Sequence, residues 1–185
     1  MSIDLRQKVF RFIDKSLDLE WPKGTVDFEQ SSFVVIGVKP LVHVQDDIET
    51  AFIWCWSIKD HLIEQLTALN PQLKKQEVES EIDTYPCLVL CSDVANGLKH
   101  KTLNKSRGQQ FAKLSVLQNI LVNKETTSMI QRLDGQYFIT PANGECVKVT
   151  ATIESRDNEY LSDAYECLTA SLEAWNEIGS KFSNT

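Results

Sequence analysis

The sequence lacks any hydrophobic run long enough to cross a membrane. Its longest apolar stretches, Ala51 to Trp56 and Cys87 to Cys91, are far shorter than the roughly 20 residues that a spanning helix needs. The first residues alternate charged and apolar side chains and so lack the uninterrupted apolar core of a signal peptide. We therefore expect a cytoplasmic protein with no membrane partner.

Linker-like composition and a disulfide pattern are also missing. The 185 residues contain only 7 glycines and 5 prolines, which are not gathered in one stretch. This length suits one domain with a substantial core, so we expect a single domain over residues 1–185. The 5 cysteines are odd in number and scattered, which argues against a disulfide framework and favours buried free thiols.

Positive charge is scarce overall but concentrated in one segment. The formal net charge is −7, which argues against a general nucleic-acid binder with a large basic surface. No Asp or Glu occurs from Val94 to Lys124. The basic residues of that segment are Lys99, Lys101, Lys105, Arg107, Lys113 and Lys124. Such a segment can meet a small anionic ligand, a phosphate backbone or an acidic face of a partner.

Hydrophobic periodicity and turn residues predict an α+β fold. Helices are expected at about 2–19, 44–69, 71–81, 86–103 and 157–182, and strands at about 32–38, 113–122, 128–133, 136–140 and 147–153. Turn signals at Asp134-Gly135 and at Pro141 to Gly144 join the later strands. We therefore expect a helical part over about 1–108, a small antiparallel meander over about 112–154, and a closing helix over about 157–182.

The predicted helix 86–103 carries three polar residues of different chemistry on one face. Asp93, Asn96 and His100 follow one another at i, i+3 and i+7, beside an apolar stripe that faces the core. Gly97 lies between them and allows close approach by a backbone or a ligand. This face is either a polar network that joins two helices or a catalytic group.

A second polar group lies on the predicted helix 44–69. Trp56, Lys59 and Asp60 share one side of it, so Asp60 lies beside a large aromatic ring. A carboxylate there needs a cationic or hydrogen-bonding partner. His100 or Lys99 is the expected partner if the two helices pack antiparallel.

No recognised metal or nucleophile motif occurs in the sequence. None of the histidines, His43, His61 and His100, has another at the i, i+4 spacing of a helical zinc site. Cys87 and Cys91 are four residues apart, but small core residues explain them more simply. Neither a nucleophile elbow nor a glycine-rich phosphate loop is present. We therefore expect neither a metal nor a cofactor.

Two resemblances rest on these motifs. Trp56-Ser-Ile-Lys-Asp60 and Cys91-Ser-Asp-Val-Ala-Asn-Gly-Leu-Lys-His100, with the strands and the last helix, resemble a family of uncharacterised bacterial and phage proteins over about residues 45–180. That resemblance implies an architecture and no activity. The spacing of Asn96 and His100 is also similar to the Arg-polar-x-x-x-His motif of HEPN helical domains, many of which are dimeric ribonucleases of defence systems. Ala95 stands at the arginine position.

Three functions follow as hypotheses. The first is a non-catalytic interaction or nucleotide-sensing domain, HEPN-like and homodimeric, within a bacterial or phage defence system. The second is a metal-independent ribonuclease or nucleotide-modifying enzyme that uses His100, with Asn96 and Asp93 orienting it. The third is an antitoxin or immunity-type protein whose acidic body covers a basic partner. The residues expected to bind RNA or a nucleotide are Lys99, Lys101, Lys105, Arg107, Trp56 and Asp60.

Overall fold

The computed structural model describes residues 3–21, 33–100 and 103–183. The helices in this part of the chain are α1 (Ile3–Leu17), α2 (Leu41–Leu69), α3 (Lys75–Ile82), α4 (Pro86–His100) and α5 (Ala164–Ser183). The strands are β1 (Phe33–Val35), β2 (Lys113–Ile120), β3 (Thr127–Leu133), β4 (Gln136–Pro141), β5 (Val147–Glu154) and β6 (Tyr160–Asp163). The predicted α+β class is confirmed.

The chain divides into two compact units. The first unit comprises Met1–Asp14, Asp47–Ser115 and Ala151–Thr185, and the second comprises Lys15–Asp46 and Val116–Thr150. Each unit therefore takes residues from separate parts of the sequence. The single domain expected from length and composition stays a prediction.

The first unit is built on the buried stripes of α2, α4 and α5. The side chains that form these stripes include Ile48, Phe52, Cys55 and Ile58 from α2, Leu88, Cys91 and Ala95 from α4, and Leu168, Leu172, Trp175 and Ile178 from α5. They recur three or four residues apart, as one face of a helix requires. The rings of Trp56 and Trp175 lie 5.9 Å apart at a tilt of 46°. Each large apolar side chain buried here contributes about 1.5–3 kcal/mol.

The start of α5 differs from the prediction. Asp163 caps the helix, because its Oδ1 accepts hydrogen bonds from the backbone N–H groups of Tyr165 at 2.8 Å and Glu166 at 3.0 Å. The residues just before this cap form β6, which pairs antiparallel with β5. Helical spacing of the apolar residues alone placed the start of the helix several residues too early.

The second unit contains a sheet of order β1–β4–β3. β1 pairs with β4 in parallel, and β3 pairs with β4 antiparallel. Asp134 (φ 50°) and Gly135 (φ 86°) form the tight turn between β3 and β4, as the sequence predicts. Ile139 of β4 forms a small core with Cys146 and Val147, against which Leu19, Val35 and Val38 pack.

The described strands form two sheets and not one continuous meander. β2 and β5 lie in a separate sheet of order β2–β5–β6. β1, far away in sequence, completes the sheet of β3 and β4. Turn residues show where strands end but carry no information on such long-range pairing, which is why a local pattern suggested a single meander. No helix in the described part of the chain is both long and apolar enough to cross a membrane.

Candidate anion-binding cleft

A polar cleft of about 790 Å³ opens on the first unit. It is bordered by α2, α3, α4 and the loop of residues 103–112, and we call it the polar cleft. Its cationic side chains are Lys59, Lys75, Lys105 and Arg107, its carboxylates are Glu79 and Asp83, and its other polar residues are Gln76, Ser92, Asn96 and Ser106. Trp56 also lines it. A volume of this size is typical of small-molecule sites.

Arg107 is held by the carboxylates of Glu79, in α3, and of Asp83, the C-cap residue of that helix. Its Nη2 lies 2.5 Å from Glu79 Oε2, and its Nη1 lies 2.7 Å from Asp83 Oδ1. Asp83 keeps a helical backbone conformation at the C-cap, so its side chain lies on the same side as that of Glu79, four residues earlier. Partial burial would lower the pKa of Arg107, but the hydrogen bonds to these carboxylates raise it above its ordinary value. Arg107 is therefore a fixed cation at the side of the cleft.

The Trp56 ring forms the floor beneath two cations. Its side chain is buried, with only 5% exposed. Lys59 Nζ lies 5.2 Å and Arg107 Cζ lies 5.3 Å from the ring centroid. Both distances allow a cation–π attraction. A bound molecule would meet the cations above the ring rather than the ring itself.

Lys75 and Lys105 are the cations of this cleft that remain available to a ligand. Both are exposed, and no carboxylate in the described part of the chain forms an ion pair with either. Lys59, by contrast, lies 3.4 Å from Glu79 Oε1. Since the lining holds more cations than carboxylates, the cleft is a local positive site on an acidic protein.

Asp93 organises the loop that forms one wall. Its carboxylate is 1% exposed and accepts a hydrogen bond from Ser106 Oγ at 2.5 Å. It also accepts from the backbone N–H groups of Arg107 at 3.0 Å and Ala112 at 3.2 Å. These bonds satisfy a buried carboxylate, as burial requires. Asp93 thus positions Arg107 and does not itself line the cleft.

The expected partners of Asp60 are not its neighbours. The Asp60 side chain is 74% exposed, and its Oδ1 lies 3.4 Å from Lys59 Nζ. Among the described residues, neither Lys99 nor His100 forms an ion pair with it. One residue turns a helix by about 100°, so Lys59 faces the cleft while Asp60 faces solvent.

The polar face predicted on α4 is divided. Asn96 lines the polar cleft, and its Nδ2 lies 3.4 Å from Ser92 Oγ. Lys99 and His100 are exposed in the last turn of α4 and do not line it. Lys101 lies outside the described residues. Of the predicted site residues, the structure brings together Trp56, Asn96, Lys105 and Arg107.

The sequence reasoning missed the contribution of α3. Glu79 and Asp83 fix Arg107, and Lys75 comes from the first turn of the same helix. The spacing of these carboxylates at i and i+4, beside a basic segment with no acid of its own, is a signal that was present in the sequence. Lys59 was noted only as a neighbour of Trp56.

Comparisons with known proteins give no relative. No family model, curated protein or solved structure matches the chain. Among the described residues, no group of three or more His, Cys, Asp or Glu side chains is arranged to hold a metal ion.

Proposed function

We propose that this protein is a non-catalytic binding domain for a small phosphate-bearing ligand, with a nucleotide as the expected class. The observation that carries the proposal is the presence of Lys75 and Lys105, exposed and without a carboxylate partner among the described residues, in one cleft with Arg107. Ammonium groups bind phosphate as point charges. Arg107 stays with Glu79 and Asp83 and offsets part of their negative charge, which leaves the phosphate to Lys75 and Lys105.

The mixture of charges favours a compact anion over a nucleic acid. A polynucleotide presents phosphates along its whole length, and its binding depends on a continuous basic surface. Glu79 and Asp83 lie within the cleft and would repel part of such a backbone. A single phosphate or diphosphate needs only the space near Lys75 and Lys105.

The neutral side chains suit the remainder of a nucleotide. Gln76 and Asn96 each offer an amide donor and an acceptor. Such groups recognise the polar edges of a base or a sugar. The Trp56 ring is too deeply buried to stack on a base.

The lining also favours binding over catalysis. The described residues that line the polar cleft include no histidine or cysteine, and its carboxylates are engaged by Arg107. Partial burial would raise the pKa of Glu79, but hydrogen bonding from Arg107 and the charge of Lys59 together outweigh it and lower the pKa. A carboxylate stabilised as the anion is a weak general base.

Calorimetric titration with ADP and with inorganic phosphate tests the proposal. We expect saturable binding of ADP, weakened about 10-fold by Lys105→Gln and by Lys75→Gln, which corresponds to about 1.4 kcal/mol for each lost contact. Lys124→Gln removes the same charge from an exposed residue of the basic segment that does not line the cleft. It should bind like the wild type. Absence of binding by the wild type, or equal weakening in all three variants, would refute the proposal.

The ribonuclease hypothesis is the competing proposal. His100 and Lys99 are exposed on α4, but Ala95, at the position of the HEPN arginine, is fully buried. A HEPN-like ribonuclease needs a cation there to stabilise charge on the phosphate. RNA cleavage by the wild type that is lost in His100→Ala, at unchanged melting temperature, would favour this enzyme. A HEPN-like origin, a role in defence and a homodimer stay proposals alongside the binding function.

A further inference from the structure

A second cleft, of about 580 Å³, also lies on the first unit. We call it the apolar cleft, because much of its lining consists of the hydrophobic side chains of Val94, Leu98, Leu103, Phe111 and Leu114. Among the residues that the structure describes, none lines both this cleft and the polar cleft. The volume lies within the range of sites that enclose most of a small molecule.

Gly97 leaves the helical wall of this cleft open. It lies in α4 between Val94 and Leu98 and is one of the lining residues. A Cβ atom added at this position would meet no heavy atom within 4 Å. The space next to the Gly97 Cα atom is therefore open. A larger side chain at position 97 would enter this space without a steric clash at its Cβ atom.

Charged groups of the apolar cleft are mainly cationic. Lys113 and Arg156 line it together with one carboxylate, Glu49. Lys113 Nζ donates to Asn158 Oδ1 at 2.6 Å, which leaves it two further donors. No carboxylate in the described part of the chain forms an ion pair with Arg156.

Arg156 is oriented by an aromatic ring. Its Cζ lies 3.8 Å from the centroid of the Phe111 ring. Stacking uses the face of a guanidinium group, so its in-plane N–H donors remain available to a carboxylate. The arginine is thus held in place beside an apolar space with its donors unused by a carboxylate.

Phe111 reaches this position through an uncommon backbone conformation. Its φ angle is 52°, in the left-handed region that bulky residues rarely adopt. Its N–H donates to Ser106 Oγ at 3.2 Å, and the next N–H, of Ala112, donates to Asp93. Strained residues of this kind persist when surrounding contacts fix them, and they occur preferentially at ligand sites.

We propose that the apolar cleft binds a small molecule with an apolar body and one carboxylate. The body lies against Leu98, Leu103 and Leu114, and the carboxylate accepts from Arg156 and Lys113. Burial of apolar surface drives binding, and the charge-assisted hydrogen bonds with Arg156 select the anion. A saturated fatty acid and an aryl-substituted acid share this chemistry.

The test is a calorimetric titration with decanoate, phenylpropanoate and the neutral decanol. We expect one decanoate per chain and binding at least about 10-fold weaker for decanol. Arg156→Gln should weaken decanoate binding about 10-fold and leave decanol binding unchanged. Arg132→Gln is the matched control, because Arg132 also lies over an aromatic ring, that of Tyr137, at 5.4 Å, and does not line the cleft. The dissociation constants of decanoate and phenylpropanoate show whether the cleft prefers a saturated fatty acid or an aryl-substituted acid.

Gly97→Leu tests the location independently of charge. The leucine side chain should fill the cleft and weaken both decanoate and decanol by about 10-fold or more. Thermal melting followed by circular dichroism verifies that Gly97→Leu is folded. If Gly97→Leu does not fold, the comparison of decanoate with decanol in Arg156→Gln tests the proposal, because Arg156 is exposed and its substitution should not disturb the fold. No decanoate binding by the wild type, equal binding of decanol and decanoate, or unchanged binding by folded Gly97→Leu would each overturn the proposal.

Discussion

Asp93 and Ser106 join helix α4 to the loop that follows it, through a hydrogen bond of 2.5 Å between the serine hydroxyl and the buried carboxylate. The loop contributes Arg107 to the polar cleft and Phe111 to the apolar cleft. One buried carboxylate therefore supports a wall of each proposed site. Its removal should affect the stability of the fold before it affects any chemistry.

Asp93→Ala is expected to destabilise the protein by about 3 kcal/mol, since it leaves buried backbone donors of Arg107 and Ala112 without an acceptor. Ser106→Ala removes the hydrogen bond to the Asp93 carboxylate and the acceptor of the Phe111 N–H, and should cost about 2 kcal/mol. Urea unfolding monitored by circular dichroism measures both changes. Asp157→Ala, at an exposed position, is the control. A loss in Asp93→Ala no greater than the control's would show that the loop does not depend on this carboxylate.

Replacement of Gly108, in the loop of residues 103–112, and of Gly97, in α4, by alanine should change the stability of the protein in opposite directions. An added Cβ at Gly108 would lie 2.6 Å from Val89 Cγ1, and the β-branched valine cannot easily move aside. Gly108→Ala should therefore cost about 1–3 kcal/mol through overpacking. Gly97→Ala meets no atom within 4 Å and should stabilise α4 by about 0.5–1 kcal/mol.

Melting temperatures of the two glycine variants provide the measurement. For a chain of this size we expect a shift of about 2–4 °C per kcal/mol, downward for Gly108→Ala and upward for Gly97→Ala. Shifts of the same sign in both variants would contradict this account of the packing around the loop.

The helices were largely predictable because local signals define them. The buried stripe of α4 and the periodicity of α2 and α5 repeat over several turns, which single-sequence patterns detect well. β6 was missed because it is short and its apolar residues fitted the pattern of the following helix. Only the cap at Asp163 separates the two. The pairing of β1 with β4 joins segments about a hundred residues apart, and no local pattern encodes it.

The polar cleft was predictable in part for a similar reason. A basic segment with no acidic residue pointed to Lys105 and Arg107, and the helix pair pointed to Trp56 and Asn96. The role of α3 depends on tertiary packing, which brings Glu79 to Arg107 across 28 positions in sequence. Lys59 and Asp60 are both close in sequence to Trp56, so the sequence pattern does not distinguish between them as cleft residues. Only the structure, which fixes the rotation of α2, shows that Lys59 lines the cleft.

Cysteine reactivity should follow burial in the first unit. Burial, reinforced by the nearby Cys87 and Cys55, raises the pKa of the Cys167 thiol to about 12. Burial also raises the pKa of Cys91. Because the thiolate is the reactive form, both residues should resist iodoacetamide in the native protein at about pH 8.

Mass spectrometry of labelled peptides measures how fast each cysteine reacts with iodoacetamide. Burial raises the pKa of Cys87 as well, but its side chain is only half-buried. We therefore expect Cys87 to be labelled before Cys91 and Cys167, and all of them to be labelled at similar rates in denaturant. Labelling of native Cys167 as fast as in denaturant would show that this core opens freely.

The ion pair between Glu79 and Arg107 should make stability depend on pH. Partial burial alone would raise the pKa of Glu79. Hydrogen bonding from Arg107 and the charge of Lys59 together lower it by more than burial raises it, so the pKa in the folded protein is below its ordinary value. The stabilisation is then complete above the unfolded pKa of about 4.3 and is lost as pH falls through the folded pKa. Glu79→Gln should therefore lower the free energy of unfolding at pH 7 by about 1–3 kcal/mol. This difference should shrink below about pH 4.

Urea unfolding of the wild type and Glu79→Gln at about pH 7, 5, 4 and 3 tests the sign of this dependence. Glu173→Gln removes a carboxylate from an exposed position of α5 and controls for the change in net charge. The control should differ little from the wild type at any of these pH values, because exposed charges contribute little. A difference for Glu79→Gln that stays constant from pH 7 to pH 3 would mean that the loss of stability does not come from the charge of Glu79, and the ion pair with Arg107 would then contribute little to folding.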